Sequence, residues 1–275
     1  MCCRVEKVSG YGFERISIAE VEEQLMKILV IADIHGNAEA LRAVLNKDGD
    51  ADRTIFLGDA VLPGPQFNET IELMKSMPPG INILGNHDYE VLKPSLFDEY
   101  PPHWLAYNKW ILDHFDPAGY EYIKTFCPEG EYEQDGIPML LRHGYLSGGV
   151  RHLVPDTPED KFIELGSGSD CQYVLFGHSH IQFRKTVNGQ EFINPGSVGQ
   201  NRCGRQAACY GLFEDGVFRH CRVSYDNTPW LKAIDRITPL HDFPEFLQRQ
   251  KDRMKSGFGI GEHEPWKRFS EEGYW

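Results

Sequence analysis

Apolar runs along this chain repeatedly end in a short polar cluster. Ile28-Leu29-Val30-Ile31-Ala32 leads into Asp33-Ile34-His35, Thr54-Ile55-Phe56-Leu57 into Gly58-Asp59, and Ile81-Asn82-Ile83-Leu84 into Gly85-Asn86-His87-Asp88. Short β-branched runs closed by Gly or Asp predict buried parallel strands. Ala38, Leu41, Val44 and Leu45, then Ile71, Leu73 and Met74, recur at helical spacing between them, which gives strand-helix-strand-helix-strand order. Met139-Leu140-Leu141-Arg142 before His143-Gly144, and Tyr173-Val174-Leu175-Phe176 before Gly177-His178-Ser179-His180, repeat the arrangement. In such sheets ligands bind beyond the carboxyl ends of the strands, so five strand ends are expected to converge on one cleft.

Later in the chain the pattern turns to hairpins. Residues 183–187 and 191–193 flank Asn188-Gly189, and residues 207–213 and 217–223 flank Glu214-Asp215-Gly216. The second sheet is expected to be built largely from these. The predicted fold class is α/β, a four-layer α-β-β-α sandwich of two mixed sheets with the site at the strand carboxyl ends.

The polar clusters supply imidazoles, carboxylates and one carboxamide without a cysteine, a full ligand set for two divalent metals. Such donors suit Mn, Fe, Zn or Ni better than a thiolate-selective site or a water-rich magnesium shell. Two cations roughly 3.5 to 4 Å apart repel unless an anion bridges them, and Asp59 is the candidate bridge. A water shared by two such metals has its pKa lowered from about 15.7 toward roughly 7, which supplies hydroxide at neutral pH without a serine or cysteine nucleophile. His103, His114, His152, His220, His241 and His263 lack comparable context and are expected at the surface.

The order and spacing of the five clusters resemble the calcineurin-like metallophosphoesterase superfamily. Phe192-Ile193-Asn194-Pro195-Gly196-Ser197-Val198-Gly199-Gln200 resembles its prokaryotic single-domain phosphodiesterase branch, over residues 26 to 226. The resemblance implies that Asp33, His35 and His180 hold a first metal and Asn86, His143 and His178 a second, with Asp59 bridging both. It also implies that His87 is the catalytic histidine, facing the scissile phosphate and protonating or stabilising the leaving oxygen. Protein serine/threonine phosphatases of the superfamily carry an Asp that orients this histidine and an Arg that grips phosphate shortly after the bridging carboxylate. Here those places hold Leu62 and Pro63, which argues against phosphoprotein as substrate and leaves the orienter of His87 open, Asp88 being adjacent only in sequence.

Basic residues near the cleft are the substrate-binding candidates: Arg142 before His143, Arg151 and His152 after it, and Arg202 and Arg205 after the Gly-rich turn. The net charge of −13 disfavours nucleic-acid polymers, which demand a basic stripe, while local arginines still attract a small anion. Seven cysteines without Cys-x-x-Cys spacing fit reduced thiols in the cytoplasm, with Cys209 and Cys221 in strand-like core runs. No apolar stretch approaches the roughly 18 residues of a membrane span.

Three segments are expected: an N-terminal extension over residues 1–25, a metallophosphoesterase domain over 26–226, and a C-terminal helix and tail over 227–275 packed on or beside it. Ile18, Val21 and Leu25 allow a short amphipathic helix in the extension, and Cys2-Cys3 reads as two unmodified thiols. An aromatic-rich insertion over residues 96–127, with Trp104, Tyr107, Trp110, Phe115, Tyr120, Tyr122 and Phe126, is expected mainly to pack. Helices are expected over residues 105–115, from Asp116-Pro117, from Thr157-Pro158 to Gly166, and over residues 243–255. The aromatics of the tail, Trp266, Phe269, Tyr274 and Trp275, predict docking onto the body or onto a partner. The expected activity is hydrolysis of a small phosphodiester or phosphoanhydride, a dinucleoside polyphosphate among the candidates, with two divalent metals per chain, Mn foremost. A phosphatase-like phosphomonoesterase and a catalytically silent metal-binding scaffold are the alternatives.

Overall fold

The computed structural model describes residues 26–134, 136–144, 152–260 and 266–275. The N-terminal extension with its Cys2-Cys3 pair, Arg151 and His263 lie outside the described residues.

The first half of the chain alternates β1 (Lys27–Ile31), α1 (Ala38–Asp48), β2 (Arg53–Phe56), α2 (Phe67–Lys75), β3 (Gly80–Asn82) and α3 (Asn86–Leu92). The aromatic insertion folds as α4 (Pro102–Asp113) and α5 (Pro117–Ile123), the latter capped by Asp116, whose side chain accepts from the Ala118 amide at 2.7 Å. Then come β4 (Gly130–Gln134), β5 (Ile137–Leu141), α6 (Glu159–Gly166), β6 (Tyr173–Leu175), β7 (Gln182–Val187), β8 (Gln190–Pro195), β9 (Ala208–Glu214) and β10 (Val217–Val223). Three helices close the chain: α7 (Thr228–Ile234), α8 (Pro244–Ser256) and α9 (Trp266–Glu271).

These strands form two mixed five-stranded sheets, in the orders β10-β9-β1-β2-β3 and β4-β5-β6-β8-β7. In the first, β1, β2 and β3 run parallel; in the second, β5, β6 and β8 do. Side chains of a strand alternate between faces, and the packing follows that period. Ile28, Val30 and Ala32 join Ile55, Met139, Leu141, Leu175 and Ile193 in an apolar layer between the sheets. Leu29 and Ile31 face the other way, onto Leu41 and Val44 of α1. On the second sheet Leu140, Val174 and Phe192 face outward onto Phe162 and Leu165 of α6. The result is the four-layer α-β-β-α sandwich that the sequence pattern implies.

The two hairpins divide between the sheets rather than building one. β7 and β8 pair in the second sheet, but β9 adds to the first, antiparallel to β1. The reason is burial: residues 208–213 are buried throughout, so β9 needs cover on both faces, which the position beside β1 supplies. Asn188-Gly189 and Asp215-Gly216 all have positive φ, as tight hairpin turns require.

The aromatic insertion packs on the first core, with Tyr107 and Phe126 buried in it. At the C-terminus Trp266 and Phe269 of α9 enter the core beneath the second sheet, and Arg205 and Arg222 lie over the Trp275 ring at 4.1 and 4.2 Å. Trp275 O accepts from the Gln182 amide. The tail therefore docks onto the body. Among the described residues the five cysteines are free thiols, Cys209 and Cys221 both buried, and no helix is long and apolar enough to cross a membrane.

Candidate metal centre

Each predicted ligand lies just past a strand's carboxyl end, Asp33 after β1, Asp59 after β2, Asn86 at the start of α3 beyond β3, His143 after β5, and His178 and His180 after β6. Backbone hydrogen bonds carry the pairing into these loops: Asp33 N to Gly58 O at 2.9 Å, His35 N to Asp59 O at 3.0 Å, and Gly177 N to His143 O at 2.9 Å. The ligand-bearing loops are thus laced together rather than left to find each other.

The backbone here is unusual. Among the described residues seven other than glycine have positive φ; two lie in the hairpin turns, and the remaining five are Asp33 (54°), His35 (48°), Asp59 (66°), His178 (66°) and His180 (63°). Left-handed backbone at a residue carrying a Cβ is costly, and its concentration in one loop cluster marks a site where side-chain aim outweighs local comfort. Close approach makes the same demand on Gly85, where a Cβ would run into the amide and carboxylate of Asp59.

Two groups of ligand atoms result, each within 4.8 Å of one another: Asp33, His35 and His180, and Asp59, His143 and His178. Asp59 Oδ2 lies 3.3 Å from His143 Nε2 and 3.8 Å from His35 Nε2, so it is within reach of both groups. Asn86 Oδ1 adds a carboxamide oxygen 2.9 Å from His143 Nε2. Whether a cation fits can be read from the protons. His35 Nδ1 donates to Leu62 O, His180 Nδ1 to Gln200 O at 2.8 Å, and His143 Nδ1 to Leu57 O at 2.7 Å. Those carbonyls fix the tautomer, so each ring, when neutral, carries its lone pair on Nε2. Yet His35 Nε2 and His180 Nε2 face each other at 3.0 Å, two acceptors with no proton to share, beside the buried carboxylates. A divalent cation resolves that conflict, and the donor set fits one.

Charge state agrees with this. Burial, with His180 next to it, pushes His35 down to about 3, and burial also holds His178 and His180 well below the usual imidazole range. For His143 the burial penalty is outweighed by Asp59, which draws it up to about 10. A proton there stands in for a cation, and metal binding would release it.

His87 is only half-buried, with its ring centroid 5.5 Å from that of His35. Its Nδ1 meets Glu90 Oε2 at 2.7 Å, and Tyr100 donates to Glu90 Oε1 at 2.5 Å. Glu90, one helical turn on, is therefore the group that orients His87; the spacing of three residues along a helix was the available signal. Asp88 does something else: its carboxylate accepts from the amides of Asp59, Ala60 and Gly85 at 2.7, 2.8 and 3.0 Å, holding the Asp59 loop against α3. Burial disfavours the imidazolium of His87, but Asp59 and then Glu90 outweigh it and raise its pKa to about 9.

The sequence profile of the calcineurin-like phosphoesterase superfamily domain matches residues 26–215. The chain belongs to that superfamily. An uncharacterized protein of Methanocaldococcus jannaschii is 32% identical over 241 residues, covering 80% of this chain and 95% of its own. A symmetrical bis(5'-nucleosyl)-tetraphosphatase of Methylococcus capsulatus is 38% identical over 71 residues, 24% of this chain and 26% of its own. The crystal structure of a metallophosphoesterase from Sphaerobacter thermophilus has the same fold, with a TM-score of 0.65 at 24% identity over 84% of this chain and 99% of that one.

Within the metallophosphoesterase domain, Leu62 and Pro63 do work of their own. Leu62 O accepts from His35 Nδ1, and Pro63 O accepts from Gln200 Nε2 at 3.1 Å, which ties this loop to the residue whose carbonyl orients His180. The arginines divide. Arg202 lies in the field of Asp33 and Asp59, with Nε and Nη1 buried and without a hydrogen bond among the described residues. Arg142 instead reaches Leu165 O at 3.3 Å and Glu129 at 3.4 Å, because the residue before His143 points to the opposite face of the strand. Arg205 is engaged by Tyr274 O and the Trp275 ring. Two histidines expected at the surface are half-buried: His152 stacks on His178 at 4.6 Å and 20°, and His220 Nε2 donates to Asn194 O at 2.9 Å. His103 is half-buried, 4.4 Å from the Phe246 ring, while His114 and His241 are exposed.

Two outcomes follow for measurement. Replacing Asp59 by Asn removes the charge within reach of both groups, so elemental analysis of the purified variant should find at most one metal per chain, with turnover lost. Replacing Glu90 by Gln removes a negative charge from His87. With His87 as the proton donor to the leaving group, as the family resemblance implies, the protonated form present below its pKa would be the active one, and activity would fall as pH rises through that pKa. The alkaline limb of the rate profile should therefore move to lower pH in the Gln variant; an unmoved limb would detach Glu90 from His87.

Proposed function

We propose that the protein is a binuclear phosphoesterase of the cytoplasm that hydrolyses a small phosphodiester or phosphoanhydride, with Asp33, His35 and His180 around one metal, Asn86, His143 and His178 around the other, and Asp59 between them. The observation that carries this reading is the placement of Asp59 Oδ2 within 3.8 Å of the ring nitrogens of both groups. Bound metals supply a water of lowered pKa and neutralise the phosphoryl oxygens during in-line attack. Imidazole, carboxylate and carboxamide donors favour Mn, with Fe, Zn or Ni able to occupy the same set.

The chain's own residues divide the remaining tasks. His87, held by Glu90, gives a proton to the departing oxygen. Arg202 grips a phosphate oxygen with N–H groups that nothing else among the described residues satisfies, a role suited to a guanidinium. Gly85 and Asp88 keep the Asp59 loop fixed so that neither function drifts.

Substrate class follows from how little positive charge the protein adds. A phosphoserine dianion needs a grip beyond the metals, and at the place where the family's phosphatases carry an arginine this chain has Pro63, whose carbonyl is committed to Gln200. A diester or anhydride carries less charge per reacting phosphorus. Similarity to a dinucleoside tetraphosphatase over a short stretch favours a dinucleoside polyphosphate as the specific candidate. With Mn supplied, kcat/KM for small diesters or dinucleoside polyphosphates should exceed that for phosphoserine peptides by at least about tenfold, or about 1.4 kcal/mol of transition-state binding. Equal or faster peptide hydrolysis would move the protein to the phosphomonoesterase side, and no hydrolysis with any of the four metals would favour a silent scaffold.

A further inference from the structure

Trp266, at the start of α9, is nearly sealed from solvent and belongs to the core beneath the second sheet, yet two of its contacts point at the metal centre. The Arg202 guanidinium lies 4.7 Å from the centre of its ring. The His152 ring meets it edge-on, at 4.9 Å and 82°, and His152 in turn stacks on the candidate ligand His178. The indole is thus registered against a metal ligand on one side and presents an aromatic surface to Arg202 on another. Two buried guanidinium nitrogens, Nε and Nη1, that find no hydrogen-bond partner among the described residues are costly, about 1–3 kcal/mol for each group left unsatisfied. An aromatic face attracts a guanidinium without using its N–H groups, so it fixes the side chain while leaving the donors available.

We propose that Trp266 is a positioning residue for substrate phosphate: its ring holds Arg202 ready for an incoming phosphoryl oxygen, which makes the C-terminal helix a wall of the site. This rests on the reading of Arg202 as a phosphate ligand. It assigns the tail a function that packing alone does not require.

The test uses the full chain loaded with Mn, and compares Trp266→Leu, Trp266→Phe, Arg202→Met and the Leu/Met double variant. For each, KM, kcat, inhibition by inorganic phosphate and melting temperature are measured. Leucine keeps an apolar side chain and removes the ring, so KM and the phosphate inhibition constant should rise about 3- to 30-fold, the range of a desolvated cation–π contact, with kcat within about twofold. Phenylalanine should stay within about threefold of the parent. In the Arg202→Met background, Trp266→Leu should add less than about twofold. A KM unchanged in Trp266→Leu, or an effect undiminished in the double variant, overturns the proposal while leaving Arg202 in place. If Arg202→Met itself leaves KM and phosphate inhibition unchanged, the phosphate role of Arg202 fails first. Should the leucine variant melt too low to assay, Trp266→Phe decides: a tenfold rise in KM overturns the proposal, and near-parental binding supports it.

Discussion

Three backbone carbonyls govern this site. Leu57 O, Leu62 O and Gln200 O each accept a hydrogen bond from the Nδ1 of a histidine, and that is what places the lone pair of neutral His143, His35 and His180 on Nε2, aimed inward. Neutral imidazoles would otherwise exchange tautomers and point protons at one another. The carbonyls come from loops that follow β2 and β8, in different sheets, so ligand chemistry depends on the placement of the whole sandwich. The apolar layer between the sheets, built from alternate residues of β1, β2, β5, β6 and β8, is therefore part of the chemistry at one remove.

Convergence has a cost that the fold must absorb. Five candidate ligand residues in left-handed backbone, each worth on the order of 1–3 kcal/mol of strain, sit among buried carboxylates that repel. Asp88, accepting three amides, and Ser197, whose hydroxyl donates to Asp33 O while accepting from Gln200 N, hold the loops against that strain. A cation that binds only the folded chain stabilises it further by linkage. Strain, like charge and tautomer, is thus organised around the same centre.

The candidate ligands were legible in the sequence because they follow apolar runs closely, and a strand end is a local signal. The helices opened by Asp116-Pro117 and Thr157-Pro158 were legible for the same reason. What escaped are residues that act through partners distant in the chain. Glu90 and Tyr100 support His87 only once the segment after α3 folds back; Gln200 matters because its carbonyl meets a ring 20 residues away. The fate of Arg142 depended on which face of β5 the register gave it, and the stacking of His152 on His178 joins two strand ends that are separate in the chain. The second hairpin joined the first sheet for want of cover on both faces of β9, a tertiary requirement that no turn sequence encodes.

We propose that the convergent lone pairs and carboxylates form a two-metal site. Titrating the metal-stripped full chain with Mn by calorimetry, with elemental analysis after dialysis, tests it most directly. Two metals should be retained per chain, with protons released on binding and a higher melting temperature once both are bound. Saturation at a single equivalent, or binding with no change in melting temperature, would contradict it.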